Sequence, residues 1–329
     1  MDTERYLSAY YFMGQTLCSV REDAIRDMEW LAGAGFDAVC ICVHEFQLLG
    51  VHTHGLRLLC IAAHEAGLEV LAVPSRWCGL LSGWPPSPGQ FAATRPDTWM
   101  LGPDGKPEVR PYCGALCSVH HVDVVTHMEE CTLKMLQEYE FDGIVWDEVK
   151  TLWNEFRQEE LVDYHPAAIE KLGEPASGEE QRQASFEVLS RCNRTARDYQ
   201  DDLRIVGFVY ANLADEIVEP WARTDGFDEV GPDGRPGFDE DYPTVAGKTL
   251  LSNADRFLSH AASAGRRSFA LLETQFLDGN EARVAVDRAE QICEAGFDHL
   301  SVYYHPMVEE AEGEVTETLA RILGEWRRG

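Results

Sequence analysis

Short apolar, β-rich runs alternate with stretches of helical periodicity from one end of the chain to the other. The runs at 6–13, 36–43, 68–73, 141–146, 203–210, 268–272 and 297–304 read as strands, with a weaker one at 228–230. The run at 36–43 is almost continuously apolar, as a parallel strand buried on both faces should be. The intervening patterns predict helices at 54–66, 119–139, 178–201, 214–224, 251–264, 281–295 and 314–327. A further helix follows the first strand. Ser19 and Glu22 have the spacing of a capping box, Ile25, Met28, Trp30 and Leu31 give it an apolar side, and Gly33 or Gly35 ends it.

Eight strands alternating with helices predict an α/β fold, a (β/α)8 TIM barrel formed by residues 1–329 as one domain. An internal repeat supports this. Ala34-Gly35-Phe36-Asp37, Tyr139-Glu140-Phe141-Asp142 and Ala295-Gly296-Phe297-Asp298 share one helix-to-strand joint, and Asp225-Gly226-Phe227-Asp228 resembles them. The Gly ends the helix, the Phe is expected to plug the barrel base, and the Asp sits at the strand entrance. An open doubly wound sheet is the rival, but no Gly-x-Gly-x-x-Gly follows the first strand.

Residues 77–118 break the rhythm after the third strand. They are rich in Pro and Gly and carry Trp77, Trp84 and Trp99. A long aromatic-rich insertion of this kind is expected to be ordered and functional at the barrel mouth.

Charge narrows the partners. The chain has 57 Asp+Glu against 28 Lys+Arg, a net charge of −29. Such a surface argues against nucleic acid, whose affinity comes largely from Lys and Arg on phosphates, and against anionic membranes. Lysine occurs only at positions 106, 134, 150, 171 and 248. Excess acid with scarce lysine suggests adaptation to a salty, halophilic interior where self-repulsion is screened. No export signal or membrane-length apolar run is visible, and the ten cysteines fall within strand and helix patterns. A reduced, cytoplasmic setting is therefore expected.

In a barrel of this kind the chemistry sits at the C-terminal ends of the strands. The second strand ends in His44-Glu45, the third in Ser75-Arg76-Trp77 and the fourth in Trp146-Asp147-Glu148. The fifth ends in Tyr210 and Asn212, the sixth leads to Asp233, the seventh ends in Glu273, and the eighth in Tyr303, Tyr304 and His305. This crown is rich in carboxylates, aromatics and amides and has no lysine at a strand end, which lowers Schiff-base chemistry. Paired carboxylates suit glycosidic bond cleavage, in which one protonates the leaving oxygen while the other attacks carbon or activates water. Aromatic rings suit the C–H faces of sugars. His52, His54, His120, His121 and His127 are plentiful imidazoles, with Cys113 and Cys117 nearby. No His-Glu-x-x-His or Cys-x-x-Cys accompanies them, so no metal and no cofactor are expected. A Gly-x-Ser-x-Gly elbow is absent too.

The segment from Cys117 to Glu148 resembles glycoside-hydrolase-like barrels, in which a Cys, a helix and an Asp-Gly-Ile-x-x-Asp pattern lead through the fourth strand. Here the last part reads Phe141-Asp142-Gly143-Ile144-Val145-Trp146-Asp147-Glu148. The Asp-Gly-x-x-x-Asp portion is also similar to the alpha-amylase clan and to alpha-galactosidase and fucosidase barrels, where the closing Asp is the nucleophile. That resemblance implies the role for Asp147. The chain departs from the alpha-amylase pattern at Val145, where that clan carries Arg, and at the fifth strand, which ends in Tyr210 and Asn212 instead of an acid. The retaining clan of beta-galactosidases and cellulases puts Glu at the ends of strands four and seven. Glu148 and Glu273 match that placement, although Asp147 stands where that clan usually has Asn.

The expected function is hydrolysis of a small oligosaccharide or glycoside. Asp147 or its rival Glu148 would be paired with Glu273. His44, Glu45, Trp77, Trp146, Tyr210, Asn212, Tyr303 and His305 would bind the carbohydrate. Two other readings stand beside it: a non-catalytic carbohydrate-binding barrel, and a barrel isomerase or lyase using His305 or Glu273 as base. Each residue also has a duller role open to it. Asp147 and Glu148 could cap the next helix or pair with Lys150, Glu273 could pair with Arg266 or Arg267, and the tryptophans could simply pack the insertion.

Overall fold

The computed structural model describes residues 5–11, 20–49, 53–74, 89–110, 114–147, 151, 153–154, 159–275, 277, 279–303 and 310–329. Eight parallel strands close into a barrel: β1 (Tyr6–Tyr10), β2 (Ala38–Cys42), β3 (Glu69–Val73), β4 (Gly143–Trp146), β5 (Arg204–Tyr210), β6 (Glu229–Gly234), β7 (Arg267–Leu272) and β8 (His299–Tyr303). The helices that follow them in turn are α1 (Arg21–Ala34), α2 (Thr53–Glu65), α3 (Val122–Glu138), α4 (Gly178–Tyr199), α5 (Asp215–Ala222), α6 (Leu250–Ser263), α7 (Gly279–Glu294) and α8 (Glu310–Arg328). The chain is therefore a (β/α)8 TIM barrel. No described helix is long and apolar enough to cross a membrane.

The strands are apolar on both faces because both are covered. Val39, Ile41, Ile144, Trp146, Ala270 and Leu272 point outward into the layer beneath the helices. Tyr10, Cys40, Cys42, Leu71, Val145, Val206, Phe208, Phe269 and Leu271 fill the interior. The period-two alternation thus places Val145, and Asp147 after it, on the inner face.

The joint repeat builds a clasp at every even strand. Asp37, Asp142, Asp228 and Asp298 each accept a backbone N–H from the start of the preceding odd strand: Leu7 at 2.8 Å, Val70 at 2.7 Å, Ile205 at 2.7 Å and Ser268 at 2.8 Å. Each aspartate returns its own N–H to the carbonyl of that same residue. The glycines at three joints take φ of 98° (Gly35), 88° (Gly226) and 97° (Gly296), where a side chain would be strained. The phenylalanines depart from expectation. Phe36, Phe141, Phe227 and Phe297 pack in the layer between barrel and helices and leave the barrel base open to other side chains. Phe227, for example, meets Trp221 of α5 at 5.8 Å.

The base is closed by a polar network. His299 lies wholly buried between the rings of Tyr6 and Phe269, each 4.7 Å away and edge-on. Its Nδ1 meets Glu229 Oε2 at 2.5 Å and its Nε2 meets Ser8 Oγ at 2.8 Å. Arg204 reaches the other Glu229 oxygen at 2.5 Å and stacks on Tyr6, and Arg267 stands 3.6 Å off. Burial works to raise the Glu229 carboxyl, but His299 and the two guanidinium groups outweigh it and hold the group at about 2. Burial likewise pushes His299 below its ordinary value.

Strand β6 runs longer than the sequence pattern suggests. Its residues Gly231-Pro232-Asp233-Gly234 look like a turn, yet all lie in the strand and are buried. The pairing with β7 runs through Val230 and resumes at Asp233. Pro232 has no N–H to give, and at Gly231 a β-carbon would stand 1.6 Å from the Phe269 carbonyl oxygen. The α1 start differs as well: Val20 occupies its N-cap without a side-chain cap, and Ser19 lies outside the described residues.

The described part of the insertion packs on Glu45 after β2 and on α3, through Phe91 against Glu45 and His127 and Arg95 against Asp123. A short helix (Gln90–Thr94), a 3-10 turn (Pro96–Thr98) and a two-stranded ribbon of Val109–Arg110 with Gly114–Ala115 follow one another. Trp99 packs within it, donating its indole N–H to the Ala92 carbonyl at 2.6 Å. Buried Asp163 accepts from Ser118 Oγ at 2.5 Å and ties the insertion to the segment before α4.

Candidate active site

The C-terminal mouth is assembled from inward residues at the strand ends. Asp147 follows β4 directly and is 6% exposed. The Tyr10 hydroxyl, at the end of β1, donates to Asp147 Oδ2 at 3.0 Å. Burial, and then the Asp147 charge, push the Tyr10 phenol well above its ordinary value, so it remains a donor. The Tyr303 ring, at the end of β8, lies 4.8 Å from that of Tyr10. Thr274 Oγ1, one residue past Glu273, donates to the Tyr303 carbonyl at 3.0 Å and joins the ends of β7 and β8.

Glu273 follows β7 and shares the inward face of Leu271. Its carboxylate meets two cations: Lys248 Nζ at 3.2 Å from Oε1 and Arg235 Nε at 4.0 Å from Oε2. Arg235 also donates Nη1 to the carbonyls of Glu273 and Gln275, at 2.9 Å and 2.8 Å. The Tyr210 ring, at the end of β5, lies 4.0 Å from the Lys248 ammonium. Asp233 is buried on the inner face of β6, beside Tyr210 in register.

The structure therefore brings Asp147, Glu273, Tyr210, Tyr303 and His44 to one mouth. His44 continues the inward face of Cys40 and Cys42 and stacks on Phe46 at 5.0 Å. Asn212 is exposed one step beyond Tyr210, near Gly247. Two residues expected at the site point elsewhere. Glu45 is buried against α3, where it meets His127 Nε2 at 2.7 Å and accepts the Phe91 N–H at 3.0 Å. Trp146 faces the helix layer and donates its indole N–H to Asn193 of α4 at 2.7 Å. Glu148, Trp77 and His305 lie outside the described residues, as does Lys150.

Three mouth residues were not in the expected crown, Tyr10, Arg235 and Lys248, while Asp233 stood in it without an assigned role. The crown does hold a lysine, because the loop after β6 carries Lys248 back over the barrel. Glu273 pairs with Lys248 and Arg235; Arg267 lies at the opposite end of β7, near Glu229. Tyr10 was legible as a residue of the first strand, but nothing in the pattern showed which face it takes or its reach to β4. Among the described residues no group of three His, Cys, Asp or Glu side chains could hold a metal.

No protein-family model matches the chain, and no curated protein matches it in sequence. Solved structures do match in shape. An alpha-L-fucosidase isoenzyme 2 from Paenibacillus thiaminolyticus superposes with a TM-score of 0.63 at 13% identity, over 97% of this chain and 49% of that one. A beta-galactosidase from the psychrophilic Marinomonas ef1 gives 0.66 at 10% identity, over 97% and 59%. The glycoside hydrolase domain of PgaB (BpsB) from Bordetella bronchiseptica gives 0.60 at 12% identity, over 92% and 94%. This chain thus spans about half the length of the fucosidase. At such identities the likeness shows the fold, a barrel shared with glycoside hydrolases.

Proposed function

We propose that the barrel mouth hydrolyses glycosidic bonds of a small oligosaccharide or glycoside, with Asp147 and Glu273 as the carboxyl pair. One observation carries this reading. Two inward carboxylates stand at the C-terminal ends of β4 and β7, each held by its own partners, Tyr10 for Asp147 and Lys248 for Glu273. In such a pair one group protonates the leaving oxygen while the other attacks carbon or activates water. Tyr210, Tyr303 and His44 offer rings and polar edges to the sugar. The fold shared with glycoside hydrolases supports the same reading at a coarser level. The reaction calls for no cofactor.

A panel of aryl glycosides and short oligosaccharides tests it. Hydrolysis is expected for at least one, with D147N and E273Q each losing on the order of a thousandfold in kcat while melting like the parent. Sugar binding without cleavage would point to a binding barrel. A product of unchanged mass would point to an isomerase. Full activity in both variants would remove the pair and turn attention to Glu148.

A further inference from the structure

We infer that Lys248 is a positioning residue for Glu273, delivered to the mouth by a loop built to hold it; the inference rests on the function proposed for that site. Lysine is the rarest cation in the chain, and a free lysine side chain loses up to about 2 kcal/mol of rotamer entropy when fixed. Here the backbone on both its flanks is held, and its ammonium meets Tyr210 and Glu273.

The backbone on both flanks of Lys248 is clamped. Asp239 Oδ1 accepts from the Gly247 N–H at 2.8 Å and from the Thr249 hydroxyl at 2.5 Å. Asn253 Nδ2 donates to the carbonyls of the same two residues, at 3.0 Å and 2.8 Å. Gly247 turns at φ 85° to allow the approach. The Lys248 carbonyl accepts the Arg235 N–H at 2.9 Å, pinning the loop's return to its own start.

The loop is anchored in turn to the helix after β7. Arg288 of α7 grips Asp241 through two bonds of 2.9 Å, and Tyr242 is buried among Leu277, Ala282, Ala285 and Ala289. From this frame the ammonium lies on the Tyr210 face and against Glu273. The pair is about three-quarters buried on the lysine side, so solvent screens it only in part. Its effect is to fix which way the Glu273 carboxylate faces, and a reacting carboxylate displaced by about 1 Å loses on the order of a hundredfold in rate.

The test uses K248M and K248R in the full chain, with D239A as a variant that touches neither Glu273 nor the mouth. Crystal structures read the orientation of Glu273 without any substrate. In K248M the carboxylate is expected to turn from its present direction, and in K248R to keep it. With the aryl glycoside that the parent cleaves fastest, K248M should lose roughly tenfold to a hundredfold in kcat at nearly constant KM. K248R should recover most of that loss, and D239A should show a smaller loss of the same kind. An unmoved Glu273 in K248M, or an unchanged kcat, overturns the inference. A raised KM at unchanged kcat would make Lys248 a substrate contact and overturns it too. Failure of the parent to cleave any glycoside would count against the proposed function, while the crystallographic comparison would still decide the role of Lys248.

Discussion

Tyr10 reaches Asp147 across 3.0 Å, from the end of β1 to the end of β4, although β2 and β3 stand between those strands in the wall. The bond therefore crosses the mouth. Replacing Tyr10 by Phe removes a donor to a charged acceptor, worth about 1.5–3 kcal/mol. The expected outcome is a loss of roughly tenfold to a hundredfold in kcat, read on the glycoside the parent cleaves, with the barrel intact by circular dichroism.

At the opposite end, Glu229 balances His299, Arg204 and Arg267 in full burial. Glu229→Gln removes the buried carboxylate that meets His299 and both guanidinium groups and should cost about 3–5 kcal/mol in a denaturant melt.

The same network sets a pH dependence. The Glu229 carboxyl, at about 2, lies below its unfolded value of about 4.3, so its contribution is present above that value and is lost as pH falls toward 2. His299 is held down by burial, so below about 6.5 the unfolded chain takes up a proton that the fold refuses. Both act in one direction. In molar KCl, where surface self-repulsion is screened, melting temperature should be flat near neutrality, begin to drop below about pH 6.5, and fall faster below about 4.5. A melting point that rises on acidification from pH 7 would contradict this assignment.

Gly231 admits no side chain. Its virtual β-carbon is 1.6 Å from the Phe269 carbonyl oxygen, which belongs to the neighbouring strand and cannot give way. Gly231→Ala should lose roughly 3 kcal/mol or fail to fold, whereas Gly67→Ala, where φ is positive but space is open, should cost only about 1 kcal/mol. Expression yield and urea midpoints separate the two.

The net charge of −29 makes a separate prediction. Self-repulsion across the surface weakens the compact state until salt screens it. Melting temperature should rise between low and molar KCl, and an unchanged or falling value would remove the salt-adapted reading.

Much of the fold was legible because both periodicities are strong. The apolar run of β2 and the Gly-Phe-Asp joints placed strands and helices to within a few residues. What escaped depended on contacts distant in sequence. β6 looked short because Gly231-Pro232 has turn chemistry, which the backbone approach of Phe269 turns into a strand requirement. The orientation of Trp146 and Asp147 needed Val145 to be seen inside the barrel, since alternation alone does not distinguish inner from outer face. Lys248 was invisible for another reason. A search confined to strand ends misses a residue returned to the mouth by a fifteen-residue excursion, counted from Arg235 to Thr249.

The aspartate clasps also differ in the length of chain that each one closes. Three of them close short stretches, separated by 30, 23 and 30 residues for Asp37, Asp228 and Asp298. The clasp of Asp142 on Val70 spans 72, because the insertion lies inside it. Closing the longer loop costs about 0.8 kcal/mol more in chain entropy than closing one of 30 residues. The quarter of the barrel that bears the insertion, and with it the strand leading to Asp147, should therefore be the last to acquire protection from hydrogen exchange during refolding.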